Sequence, residues 1–307
     1  MIRFIIKRLL VTIPTILVVI SITWGLIKLA PGNFYSGEKR LPATIEQNIR
    51  AKYGLDKPWY QQYGKMLWQI VGHLDFGTSL KYEGQSVNTI IARSLPVSAA
   101  VGLLAYLLAL VVGITAGSIA ALKQNSKWDY ASMTLAMLGI SLPNFVLGPI
   151  LVLVFSLSLY WLPPSRWDGF FSRNIILPVL TLSAIYIAYI ARLTRAGMLE
   201  VLRSDYIRTA RAKGLSEKDV LIKHALRGGL MPVVSYTGPA LAFLLTGTVV
   251  VEKIFALPGL GNYFIQASLN RDEPLIIGIV AFIAITLLLM NLLVDIAYAF
   301  LDPRVRY

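Results

Sequence analysis

From Ser94 to Leu122 the chain carries no charged residue, and from Ala131 to Leu162 it again carries none. Each run exceeds the roughly 20 apolar residues that a helix needs to cross the hydrocarbon core of a bilayer. No water is available there, so the backbone groups of such a segment must satisfy one another, which makes these runs helices. The rest of the chain repeats the pattern. Leu9–Ile27, Asn174–Ala191, Gly228–Val251 and Pro274–Leu301 are four further apolar runs. A hydrophobic content of 56% and a mean hydropathy of +0.65 fit that reading. The expected fold class is an all-α integral membrane protein with six transmembrane helices and a small polar segment after the first.

Arg3, Lys7 and Arg8 precede the first run. A basic start before an apolar stretch can mark a signal peptide, but this stretch is long and no small-residue cleavage site follows, so a retained anchor is expected. Residues 31–93 form a polar excursion punctuated by Pro31-Gly32, Pro42, Gly54, Pro58 and Gly84. Within it Thr44–Tyr53 reads as a short helix, and Trp59, Tyr60, Tyr63 and Trp68 read as an interface-seeking aromatic face. In the second run Gly102, Gly113, Ala116 and Gly117 suit close helix packing. Pro143 and Pro149 interrupt the third, either as a break that lines a cavity or as a plain kink. Asp295 is the one clear acid expected inside a span.

Charge supplies the orientation. The net charge is +13, with nine Lys and Arg between Arg192 and Arg227 but two each in 163–173 and 252–273. Basic loops stay on the cytoplasmic side, so the 192–231 loop and both termini are expected in the cytoplasm. The same loop is patterned as helix–Gly–helix. Leu199, Leu202, Tyr206 and Ala210 recur at helical spacing. Gly214 then suits a left-handed cap, and Ser216 with Asp219 three residues later opens a second helix that Gly228-Gly229 closes. A capped amphipathic element on one face of a membrane protein reads as a docking site.

Other chemistry is excluded. There is no cysteine, and His73 and His224 fall in loops expected on opposite sides of the membrane. No phosphate-binding G-x-x-x-x-G-K-[ST] loop and no G-x-S-x-G elbow occurs. Asp75-Phe76-Gly77 spells a kinase metal motif without its companion loops. An ion-driven carrier would need several buried titratable groups, whereas the spans are nearly free of charge. The driving force is therefore expected to enter through the basic loop.

The stretch 205–232, DYIRTARAKGLSEKDVLIKHALRGGLMP, resembles the cytoplasmic signature loop of binding-protein-dependent ABC importer permeases. Arg208-Thr209-Ala210 stands where that family has Glu-Ala-Ala, with Gly214 at the matching spacing, as in its peptide-importer branch. LAPG at 29–32, GLDKP at 54–58, FGTS at 76–79, LPGLG at 257–261 and LDPRVRY at 301–307 extend the resemblance over the whole chain. AALKQNSKWDY at 120–130 and the short loop at 160–174 are nearest to the oligopeptide group.

The resemblance implies a type I permease core over 94–301, a first helix over 1–30, a periplasmic segment over 31–93 and a cytoplasmic tail over 302–307. It implies a permease for oligopeptides in the bacterial inner membrane, with no enzymatic activity of its own. The partners implied are a second homologous permease, two ATPase subunits that bind ATP and Mg, and a periplasmic peptide-binding protein; this chain would bind no cofactor. Tyr206, Arg208, Thr209, Ala210, Arg211, Gly214, Leu215, Ser216, Asp219 and Val220 would couple it to the ATPases. Pro258, Gly259, Gly261, Asn262, Tyr263 and Asp272 would face the binding protein. Dipeptides, murein peptides or nickel chelates are alternative substrates, and a gradient-driven carrier is the alternative mechanism.

Overall fold

The computed structural model describes residues 2–30, 47, 51, 54–164, 166–170, 172–245 and 249–301. The turn at Pro31-Gly32, the short helix expected over Thr44–Tyr53 and the tail 302–307 lie outside the described residues. Twelve helices organise the rest: α1 Ile2–Leu29, α2 Trp59–His73, α3 Val87–Leu122, α4 Lys127–Ser141, α5 Asn144–Leu151, α6 Ile176–Leu202, α7 Asp205–Ala212, α8 beginning at Glu217–Asp219, α9 Met231–Leu245, α10 Val249–Ile254, α11 Leu260–Asn270 and α12 Glu273–Leu301. The described residues contain no strand, only one antiparallel bridge between Thr78 and Ser86.

Five helical segments are long and apolar enough to cross a membrane: Leu10–Leu29, Val87–Leu122, Arg173–Leu202, Met231–Ile254 and Glu273–Ile296. The third expected span is not one rod. Lys127–Ser141 and Asn144–Ser158 meet at an angle of 104°. Leu142 is extended and Pro143 caps α5. Proline lacks the N–H to continue α4 and pushes its predecessor out of the helical region, so the chain turns here instead of kinking. Past Pro149 the helix widens into a π-helical stretch over Val152–Ser158.

The chain forms two compact units. The first comprises residues 1–96 and 259–286. Ile20 and Trp24 of α1 pack with Ile70 of α2 and with Ile277 and Ala281 of α12. Tyr63 turns inward, 5.2 Å from the Trp24 ring and 2.5 Å from the Ser21 hydroxyl, while Trp59, Tyr60 and Trp68 stay exposed. The aromatic face expected on α2 is therefore made by three of its four residues. Val87, Ile90, Leu260, Leu275 and Ile279 make a second cluster. Lys28, at the end of α1, pairs with Glu273 at the start of α12 at 2.8 Å.

The second unit comprises residues 97–258 and 287–307. Its main core gathers Val101, Ala105 and Tyr106 of α3, Leu177, Leu182 and Ile190 of α6, Leu244 of α9 and Phe255. The helices approach closely where side chains are small. A Cβ on Gly139 of α4 would stand 2.1 Å from the Ala184 carbonyl oxygen of α6. Gly102, Gly113 and Gly117 also sit at close approaches, as their spacing in the sequence suggests, here to Leu244, Ile190 and Ala191.

Four charged residues change the expected span boundaries. The polar loop was expected from Arg192, but α6 runs on to Leu202, so Arg192 and Arg195 ride on a helix. Asp129 lies inside α4, not in a turn before it, and Glu252 lies inside α10 instead of opening an external loop. Both carboxylates are buried.

Candidate functional site

Helix α7 is short and strongly two-faced. Ile207 and Ala210, three residues apart, are buried against Met198 of α6, Ala121 of α3 and Val220 and Ala225 beyond the turn. Tyr206, Arg208, Thr209 and Arg211 remain exposed. The helix that supports them is not the continuous one that the spacing of Leu199, Leu202, Tyr206 and Ala210 suggested. The chain breaks at Arg203 and Ser204, where the Ser204 hydroxyl donates back to the Val201 carbonyl at 2.6 Å, and restarts at Asp205.

Gly214 ends α7 with φ of +77°. A Cβ there would meet nothing within 4 Å, so it is the left-handed backbone, not space, that calls for glycine. The N–H of Gly214 donates to Arg211 at 2.9 Å, closing the turn. Ser216 then caps α8, its hydroxyl oxygen accepting from the Asp219 N–H at 3.2 Å and its O–H donating to the Asp219 carboxylate at 2.6 Å. Arg211 spans the turn with two hydrogen bonds to Glu217, at 2.8 and 3.2 Å. Lys223 pairs with Asp219 at 2.7 Å. That bond first, and the Ser216 hydroxyl second, hold the Asp219 carboxyl below the ordinary carboxylate range.

Past Asp219 the helix continues as a π-helical stretch over Val220–Ala225 and a last turn over Leu226–Gly229. Gly228-Gly229 does more than stop it. A Cβ on Gly197 would lie 2.3 Å from the Gly229 carbonyl oxygen, so the pair lets α6 and the returning chain touch backbone to backbone.

Of the ten residues assigned to coupling, Tyr206, Arg208, Thr209, Arg211, Gly214, Leu215 and Ser216 form one exposed ridge, and Asp219 lies half-buried at its edge. Ala210 and Val220 belong to the core beneath it and cannot touch a partner. Their apolar side chains are what fasten the ridge to the spans.

The second assigned group is dispersed by the structure. Pro258 is exposed, Gly259 and Gly261 are buried, and Asn262 and Tyr263 are half-buried. The expected glycine-rich loop is the capped start of α11, with Gly259 as its N-cap. Asp272 is fully buried, which overturns its assignment to a partner-facing surface. It accepts from the Ser79 hydroxyl, the Leu80 N–H at 3.0 Å and the Lys81 N–H at 3.2 Å. A carboxylate with that many donors is a fastening for the 78–82 loop. Asp75 likewise serves its own turn, accepting from the Gly77 N–H at 2.9 Å. Among the described residues no cluster of three His, Cys, Asp or Glu is placed to hold a metal.

Sequence reasoning missed the polar clamps inside the second unit. Arg195 of α6 donates to both oxygens of Asp129 of α4, at 2.8 and 2.7 Å. Ser98 of α3 donates to Glu252 of α10 at 2.7 Å. Arg195 lies three residues from Met198, a helical turn away on the face that carries α7.

Known proteins identify the family to which the chain belongs. Residues 113–307 match the family described as "Binding-protein-dependent transport system inner membrane component", and residues 1–102 match the N-terminal part of such membrane components. The chain is 47% identical to the oligopeptide transport system permease protein OppB of Escherichia coli K12 and 46% identical to that of Haemophilus influenzae, over the full length of all chains. It is 44% identical to the dipeptide transport system permease protein DppB of Bacillus subtilis, over all of this chain and 98% of that one. Among solved structures, the inward-facing MetNI methionine ABC transporter matches 70% of this chain and 97% of its own with a TM-score of 0.55 at 16% identity, which is a likeness of fold. The chain belongs to the binding-protein-dependent transport system inner membrane component family, the permeases of ABC importers.

Proposed function

We propose that this chain is one of two permease subunits in an ATP-driven importer of oligopeptides, delivered by a binding protein outside the inner membrane. The observation that carries the reading is the exposed ridge of α7 and the Gly214 turn, seated on α6 through Ile207 and Ala210, in a chain 46–47% identical to oligopeptide permeases end to end. The ridge faces the cytoplasm in this reading, because the excess of Lys and Arg lies on its side of the spans. Both termini then face the cytoplasm as well. ATP and Mg are held by separate ATPase subunits, each receiving one such ridge.

The packing gives the push a route. A short helix fastened by buried apolar contacts moves as a body with its support. A force on the ridge passes through Ile207 and Ala210 to Met198 of α6, and from α6 through Arg195 to Asp129 of α4. The exposed arginines offer charge for acidic groups on the ATPase, which favours fast and selective docking.

The test is extraction of the complex from native membranes in mild detergent. A second permease and ATPase subunits should accompany this chain, and ATP hydrolysis should rise with peptide-loaded binding protein. A lone chain supporting gradient-driven uptake overturns the proposal. Dipeptides are the second reading, favoured by the 44% identity to a dipeptide permease. Competition between di- and pentapeptides for uptake separates the two.

A further inference from the structure

The spans of the second unit carry a group of tyrosines that the fold does not use for hydrogen bonding. Tyr186 and Tyr189 lie on α6, each about 20 Å along the helix from either end of the 30-residue segment Arg173–Leu202. Tyr236 of α9 packs against both, with ring centroids 6.4 Å from Tyr186 and 5.7 Å from Tyr189. All three are half-buried. One turn on from Tyr189, Arg192 is exposed, with its guanidinium 5.1 Å from the Tyr189 ring. Among the described residues no group hydrogen-bonds the phenol oxygens of Tyr186, Tyr189 or Tyr236, and no carboxylate pairs with Arg192. Tyr106 is the contrast, its hydroxyl 2.7 Å from that of Thr237.

Three phenols turned to hydrocarbon at mid-span would each lose the hydrogen bonds that water supplies, and so would the guanidinium one turn nearer the Leu202 end. Charged side chains within a span face a bundle interior or a water-filled path. The same set is well suited to a peptide. Aromatic faces accept amide planes and apolar side chains without selecting one sequence, phenols serve as both donors and acceptors, and a guanidinium grips a carboxylate through two parallel bonds. Arg195, one turn further, has its carboxylate already in Asp129, whereas Arg192 has its fork open.

We infer that Tyr186, Tyr189 and Tyr236 form one wall of the path that the substrate follows, and that Arg192 receives the terminal carboxylate of the passing peptide. This rests on the proposed function for the substrate, while the wall itself rests on the placement of the side chains.

The chain contains no cysteine, so an introduced cysteine is the single thiol on it, and label is read on this chain after its separation from the other subunits. In the complete importer in proteoliposomes, Tyr186→Cys and Tyr236→Cys should react with a charged, membrane-impermeant thiol reagent, and peptide-loaded binding protein with ATP should slow that reaction. Val111→Cys, at an exposed apolar position on α3, should not react. Failure of both tyrosine positions to label overturns the wall. Arg192→Gln should lower uptake of a peptide with a free terminal carboxylate about ten-fold, the loss of one charge-assisted contact. The same peptide with an amidated terminus should change less than two-fold, each compared with the unaltered transporter, and Arg192→Lys should recover part of the loss. Equal loss on both peptides, or none, overturns the role of Arg192. Labelled tyrosine positions in a transporter that moves no peptide would leave the wall standing and sink the peptide reading instead.

Discussion

Arg195 of α6 and Asp129 of α4 meet fork to fork, with both bonds at 2.8 Å or less and the Asp129 side chain only 4% exposed. Asp129 also accepts from the Asn125 N–H at 2.9 Å, so one carboxylate closes the turn between α3 and α4 and holds α6. Removing the carboxylate leaves the half-buried Arg195 guanidinium without its partner, at a cost of about 1–3 kcal/mol. Asp129→Asn should therefore lower the melting temperature of the detergent-extracted chain by several degrees. The double variant Asp129→Leu with Arg195→Met should regain much of that loss, because it buries no lone charge. If the double variant is no more stable than the single one, the pair is not what joins these helices.

Gly214 tests the turn that carries the ridge. An alanine at φ of +77° costs about 1–2 kcal/mol of backbone strain, and proline cannot adopt it at all. Gly214→Pro should leave membrane insertion intact but uncouple ATP hydrolysis from uptake, and Gly214→Asn should keep most of the coupling. Normal peptide uptake per ATP in the proline variant would show that the turn transmits nothing.

How much of this was legible in the sequence follows from the kind of signal each feature leaves. Spans announce themselves because charge is absent from them for about 20 residues or more at a time, and the cap at Ser216 and the turn at Gly214 because few residue types do those jobs. The clamp between Arg195 and Asp129 leaves no such mark. Its partners are 66 residues apart, and each alone reads as a loop charge beside a span. Asp272 misled for the same reason: an acid near Arg271 and Glu273 reads as solvated, and only the folded 78–82 loop supplies its donors. The bend of 104° at Pro143 was open in the sequence because a proline permits both a kink and a break, and packing decides between them.

The ridge separates docking from support. Arg208 points into solvent with its nearest acid, Asp205, at 3.4 Å. Arg208→Glu should weaken co-purification of the ATPases several-fold without changing the stability of the permease. Ile207→Ala removes buried packing beneath the same helix and should lower stability by about 2–4 kcal/mol. Unchanged ATPase attachment in Arg208→Glu, measured at low salt where exposed charges act most strongly, would remove the basic ridge from the interface.

The close approach at Gly139 predicts a steric effect of opposite origin to the clamp. A methyl there meets the Ala184 backbone carbonyl at 2.1 Å, and backbone cannot swing aside as a side chain can. Gly139→Ala must push α4 off α6, with overpacking costs of about 1–3 kcal/mol. Gly25→Ala, on α1 where a Cβ would meet nothing within 4 Å, should not destabilise the chain. Crosslinking between cysteines placed on α4 and α6 should slow in Gly139→Ala; an unchanged rate would mean that the helices do not pack at this distance.

Asp219 gives the ridge a pH dependence whose sign can be worked out. Its carboxyl is held below its ordinary value of 3.8, first by the bond from Lys223 and then by the Ser216 hydroxyl. A folded-state value below the unfolded one means that the unfolded chain binds the proton more readily. The contribution is then complete above the unfolded value and is lost as pH falls through the folded one. The start of α8 should therefore be equally ordered between pH 6 and 8 and should loosen in acid, below about pH 4. Hydrogen exchange over residues 217–221 of the detergent-extracted chain reads this directly, once the intrinsic pH dependence of exchange is divided out. Asp219→Asn keeps a group able to accept from Ser216 but cannot ionise, so its protection should be lower at neutral pH and flat on acidification. Acid loosening that persists in Asp219→Asn would assign the effect to another carboxylate, with Glu217 and its bond to Arg211 the next to test.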